Sequence, residues 1–259
     1  MKKRILSCLM ALALCLTLLP ATALAAGAEQ AHTHFLCGTD SCEWEDHTNA
    51  DNKTTFAKWL ASSAGELSVQ KDSTSSSGTL LPKDPTDNNC VLLTDGYYYL
   101  STEVANYEDH SYVKSYKTIK IQGNVTICLN GNQIQKAGNT TGPVFEVPSD
   151  CTLTLTNCKG TGQIVCNDDS NGSGVYVNGG TLNLYSGQIT RSYGQKGTDS
   201  NKYGGGVYVD NNGTFNMYGG DITGNSANFG GGVYVKSGTF TMYGGSIKNN
   251  TSDGGSGAG

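Results

Sequence analysis

FGGGVYVKSGTFTMYGGSIKNN, Phe229 to Asn250, is the stretch that decides the fold. Its apolar residues alternate, stop at glycine and begin again. Nearly the same text, YGGGVYVDNNGTFNMYGGDITGN, runs from Tyr203 to Asn225. Alternate side chains of a strand point to opposite faces, so Val233 and Val235 share one side and Tyr234 takes the other. A strand this short cannot bury its apolar side alone. It can when equivalent strands of neighbouring copies lie about 4.8 Å away, completing its hydrogen bonds and a continuous core.

Aligning the copies extends the pattern. Val-Tyr-Val begins at Val175, Val207 and Val233. An apolar pair follows each: Leu182 and Leu184, Phe215 and Met217, Phe240 and Met242. An isoleucine then follows each pair, at Ile189, Ile222 and Ile247. Weaker copies stand upstream, Phe145/Val147 with Leu153/Leu155 and Ile164, and Ile119/Ile121 with Ile127/Leu129 and Ile134. These five copies, 25 to 33 residues apart, predict a solenoid. The text of a leucine-rich repeat is absent. The expected fold is therefore all-β, a right-handed parallel β-helix of about five three-strand coils over residues 95–259. Leu182, Phe215 and Phe240 should form one column, and Leu184, Met217 and Met242 another. Asn167, Asn225 and Asn250 each follow their coil's isoleucine by three residues, with Ser192 interrupting, and read as a hydrogen-bonded ladder.

The flanks differ from the repeats. Residues 1–25 join Lys2, Lys3 and Arg4 to an apolar run and Ala23-Leu24-Ala25, the layout of a cleaved secretory leader. No later segment is long and apolar enough to span a bilayer. The expected location is secreted or cell-surface. Losing three positive charges with the leader takes the formal charge from −5 to about −8, which argues against nucleic acid and anionic lipid as partners. Residues 51–94 hold a polar linker and TFAKWLASSA, Thr55 to Ala64, where Phe56, Trp59 and Leu60 have helical spacing. A short capping helix over the first coil is expected there, together with a strand from Tyr97 to Leu100. At the other end, TSDGGSGAG stops as another coil should start, so the chain reads as a fragment or as one that pairs end to end with another molecule.

Residues 26–50 carry HTHFLCGTDSCEWEDH, with His32, His34, Cys37, Cys42 and His47. Imidazole and thiolate ligands could hold Zn²⁺ here, although the spacing matches no standard finger. A Cys37–Cys42 disulfide or plain thiols are the alternative, and an exported chain permits the disulfide. The remaining mature cysteines, Cys90, Cys128, Cys151, Cys158 and Cys166, are odd in number and their pairing is not assigned by sequence.

HTHFLCGTDSC, VTICLNGNQI and GGGVYVKSGTFTMYGGSIKNN together resemble exported repeat proteins of Gram-positive, clostridial-type gut bacteria. Those combine an N-terminal His/Cys-rich segment with pectate-lyase-like β-helix repeats. The resemblance covers most of residues 32–47 and 95–259. It implies a cell-surface setting and leaves the activity unassigned.

Two functions remain. One is a non-catalytic stalk or adhesin contacting host or dietary glycan or another surface partner. Tyr176, Tyr208 and Tyr234 should form an outward column, with Tyr185, Tyr218 and Tyr243 in a second, and aromatic rings suit sugars. Mutual stacking of the rings is the structural alternative. The other function is a polysaccharide lyase or glycoside hydrolase. It would use Asp168 and Asp169 with Arg191, Lys196, Tyr193 and Tyr203 from the inserted loop RSYGQKGTDSNKY, and would need Ca²⁺ if lyase-like. No histidine follows His110, and Arg191 is the single arginine after Arg4, which favours the first function.

Overall fold

The computed structural model describes residues 32–35, 53–56, 58–63, 66–70, 78–100, 112–136, 138, 140–166, 172–196 and 202–256. Among these the chain is all-β, and its stacked parallel strands form a β-solenoid of about five turns. Each regular coil lays one strand on each of three faces. The first face stacks Phe145–Pro148, Val175–Asn178, Val207–Asp210 and Val233–Val235. The second stacks Thr152–Thr156, Thr181–Leu184, Gly213–Met217 and Gly238–Met242. The third runs through Gln133–Lys136, Gln163–Cys166, Gln188–Thr190, Asp221–Thr223 and Ser246–Lys248.

Register follows the sequence columns. Val175, Val207 and Val233 are partners, as are Leu153, Leu182, Phe215 and Phe240. Ile134, Ile164, Ile189, Ile222 and Ile247 align on the third face. These side chains fill a single core, fully buried through the middle coils. On the last coil the burial falls, with Val235 39% and Met242 44% exposed.

One register expectation needs correction. Leu153 and Leu155 pair with Val125 and Ile127, so the upstream columns begin two residues earlier than Ile127 and Leu129. The reason lies in Thr118–Cys128, an eleven-residue strand that serves both the first and second faces. Gly123, at φ 83°, stands between those two halves. Cys90–Leu100 repeats this design and pairs with it in parallel, slipping register between Thr94 and Gly96.

The capping helix is also corrected. Lys53–Phe56 and Lys58–Ser63 are strands. Lys58–Ser63 continues the ladder in parallel on Cys90–Leu100, then pairs antiparallel with Glu66–Gln70. Leu60, Leu67 and Leu81 thereby join the core of the first coil. The open edge of that coil offers hydrogen bonds and apolar surface that a lone helical turn would forgo, which outweighs helical spacing.

A fourth sheet was not anticipated. Gln195–Lys196, Lys202–Tyr203, Ser226–Phe229 and Thr251–Ser256 form it between the third face and the next coil's first face. Beside it runs the asparagine ladder. Asn225 Nδ2 donates to Asn250 Oδ1 and to the Ile189 carbonyl, both at 3.0 Å, and Asn250 Nδ2 donates to the Ile222 carbonyl at 3.0 Å. Ser192 joins it through its backbone N–H, which donates to Asn225 Oδ1 at 3.1 Å. Asn167 lies outside the described residues.

Candidate functional site

Period-two alternation sends the valines of the first face inward and Tyr176, Tyr208 and Tyr234 outward in register. Tyr176 and Tyr208 stack at 5.0 Å between ring centroids, and Tyr208 and Tyr234 meet at 5.8 Å, tilted by 34°. Tyr203 leans over them from the inserted loop, 6.1 Å from Tyr208 and 5.1 Å from Tyr234. Phe229 stacks on Tyr203 at 5.5 Å. Tyr208 is consequently buried, only 7% exposed, although the sequence places it in an outward column. Phe229 escaped the sequence reading, yet its signal was present. It precedes its glycine triplet as Tyr203 precedes the earlier one, and the two are strand partners.

Beneath the rings is a compact polar group. Tyr208 Oη donates to Asp210 Oδ2 at 2.9 Å, and Lys236 Nζ donates to the same oxygen at 3.0 Å. The Asn211 N–H donates to Asp210 Oδ1 at 2.8 Å. Desolvation pushes the Asp210 carboxyl upward, but Lys236, Asn211 and Tyr208 together hold it below its ordinary value. Desolvation raises the Tyr208 hydroxyl, reinforced by Asp210, and pushes Tyr176 up to about 12. Neither phenol is a base at neutral pH.

The second tyrosine column is more regular. Tyr185 and Tyr218 stack at 4.5 Å with planes 6° apart, and Tyr218 and Tyr243 at 5.0 Å and 7°. Stacking of this kind covers ring faces with ring faces and turns edges to solvent. Tyr243, 50% exposed, ends the stack.

Arg191 lies elsewhere. It follows the third-face strand Gln188–Thr190 with a left-handed φ of 49°. Its Nη2 donates to Gln133 Oε1 at 3.0 Å and Gln163 Oε1 at 3.3 Å, while Gln163 Nε2 donates to Gln188 Oε1 at 2.8 Å. The guanidinium thus runs back along a glutamine ladder, on a different face from the tyrosine column. Lys196 is in the strand Gln195–Lys196, paired with Lys202. Tyr193 is half-buried, and its N–H donates to the Gly172 carbonyl at 3.2 Å. Asp168 and Asp169 lie outside the described residues, as do Cys37, Cys42 and His47. His32 and His34 are on the strand His32–Phe35, paired with Phe56 and Thr54 of Lys53–Phe56. Among the described residues no group of three His, Cys, Asp or Glu side chains gathers as a metal site.

Comparison with protein families, curated proteins and solved structures finds no match.

Two further features were missed by sequence. A cavity of about 340 Å³ opens near the N-terminal end, floored by Leu67, Leu80, Leu81 and Val91 with Lys83 and Lys117 beside them. Lys117 Nζ donates to the Asn88 carbonyl at 2.6 Å. Lys136 is fully buried on the third face, where its register partner is Cys166. Its Nζ donates to Thr118 Oγ1 at 2.7 Å and to the carbonyls of Thr141 at 3.0 Å and Pro143 at 3.2 Å. Desolvation lowers its pKa to about 8.

Proposed function

We propose that this chain is a non-catalytic, exported β-solenoid module, a stalk or adhesin that meets glycans or another surface partner along its tyrosine columns. One observation carries this reading: among the described residues, the side chains best suited to chemistry are engaged with one another and with neighbouring coils. Arg191 spans two glutamines of earlier coils, and Lys236 and Tyr208 share the Asp210 carboxylate. A general base must take up a proton readily. Lys236, Asn211 and Tyr208 hold the Asp210 carboxyl below its ordinary value against its desolvation, which makes it a weak base. The tyrosine rings cover one another, leaving hydroxyl tips and ring edges as the surface that would meet a sugar.

The test incubates residues 26–259 with pectin and a panel of plant and mucin polysaccharides, with and without Ca²⁺. Unsaturated-uronide absorbance and new reducing ends are followed. The expected outcome is no product from any polymer, with retention on a glycan array reduced by Tyr243→Ala. Turnover abolished by Arg191→Ala or Asp168→Ala would replace the stalk with a lyase or hydrolase.

A further inference from the structure

We propose that Cys128 and Cys158 form an intercoil disulfide, a covalent rung between two successive coils. Cys128 ends the strand Thr118–Cys128, and its ladder partner is Thr156, so Cys158 lies just past the matching point on the next coil. The chain bends there and brings the two residues together. Cys158 packs against the buried pair formed by Cys128 and Tyr99. Both cysteines pack on the buried Tyr99 ring, and Tyr99 is the ladder partner of Cys128 on the preceding coil. Cys158 Sγ also lies 3.5 Å from Asn130 Oδ1. Cysteines that share one packed cluster on adjacent parallel coils are placed for a bridge with little backbone movement.

The two thiols differ in access, which orders the reaction. Cys158 is half-buried and Cys128 is fully buried. A small-molecule disulfide such as oxidised glutathione serves as oxidant. The Cys158 thiolate attacks one sulfur of the donor, forming a mixed disulfide and releasing one glutathione thiolate, which takes up a proton. Cys128 then loses its proton and attacks Cys158 Sγ, forming the protein S–S bond and releasing the second glutathione. The two protein thiols give up two electrons and two protons, and the donor becomes two thiols. The closed loop spans about one coil, and pinning it removes conformational freedom from the unfolded chain.

The test uses the full chain exposed to oxidised glutathione, alkylated without reductant and digested with trypsin. Cleavage after Lys136 and Lys159 separates Cys128 from Cys158 but leaves Cys151 with Cys158. The expected result is a cross-linked peptide whose fragments place the bond on Cys158. It persists in Cys151→Ser and vanishes in Cys158→Ser, and reductant lowers the wild-type Tm by about 10 °C. Cys128 and Cys158 both alkylated after oxidation, or a bond that maps to Cys151, would overturn the proposal. The thiol readout on the wild type decides even if Cys158→Ser does not fold.

Discussion

Lys136 shows how a single residue sets a pH dependence. Its ammonium is desolvated inside the wall and releases its proton near pH 8, whereas the unfolded lysine holds it to about 10.5. Between those values the unfolded state binds more protons, so stability rises with pH, by at most about 1.4 kcal/mol per unit. Buried thiols act in the opposite sense. Burial pushes Cys90 and Cys166 up to about 12, and the neighbouring Cys158 thiol together with burial raises Cys128, while unfolded thiols ionise near 9.0. Their contribution is complete below pH 9 and fades above it. In reductant, the urea midpoint should climb between about pH 7 and 8 and fall above about pH 9. Lys136→Met should lose the climb and keep the fall; a climb that survives the substitution would assign it to another group. Asn225 tests satisfaction rather than charge. Asn225→Ala removes both side-chain donations and strands the buried Ser192 N–H, at a cost of about 2–3 kcal/mol in denaturant melts.

At the scale of elements, the glycine triplets explain why coils sit so close. A Cβ at Gly205 would lie 2.1 Å from the Gly231 carbonyl oxygen, and one at Gly206 2.6 Å from that of Gly232. Both obstacles are backbone of the next coil, so a methyl group must push the coils apart. Gly205→Ala should destabilise by about 3 kcal/mol and weaken amide protection on Val207–Asp210 and Val233–Val235 together. An unchanged exchange pattern would mean that the coils can separate at little cost. Such contacts are repeated in the text, which is why the core columns were legible from Val175 onward. What repetition does not carry was missed. The corner at Gly123 shifts the Val125 and Ile127 register, because one long strand there replaces two short ones. Lys58–Ser63 has helical spacing in isolation, and only the unpaired edge of Cys90–Leu100 makes it a strand. Lys136 occupies a core column as a charged residue, and its burial depends on acceptors from Thr118, Thr141 and Pro143 that no local pattern announces. The site was legible in part. The tyrosine column was visible, but its cover by Tyr203 and Phe229 depends on how the insertion folds back.

For the molecule as a whole, stacking makes stability a sum of coil terms and nearest-neighbour interfaces. Leu182 is fully buried between Leu153 and Phe215 in one column, so each of its neighbours loses contacts if it is cut short. Leu182→Ala should cost about 3 kcal/mol, within the range for buried leucines. The loss should be local. Hydrogen exchange should accelerate most on Thr152–Thr156, Thr181–Leu184 and Gly213–Met217, and least on Cys90–Leu100. That last strand keeps an eleven-residue pairing partner in Thr118–Cys128 and the hairpin that continues from Lys58–Ser63. Equal acceleration over every coil would instead make the solenoid one cooperative unit, in which a defect at any height is felt along the full stack.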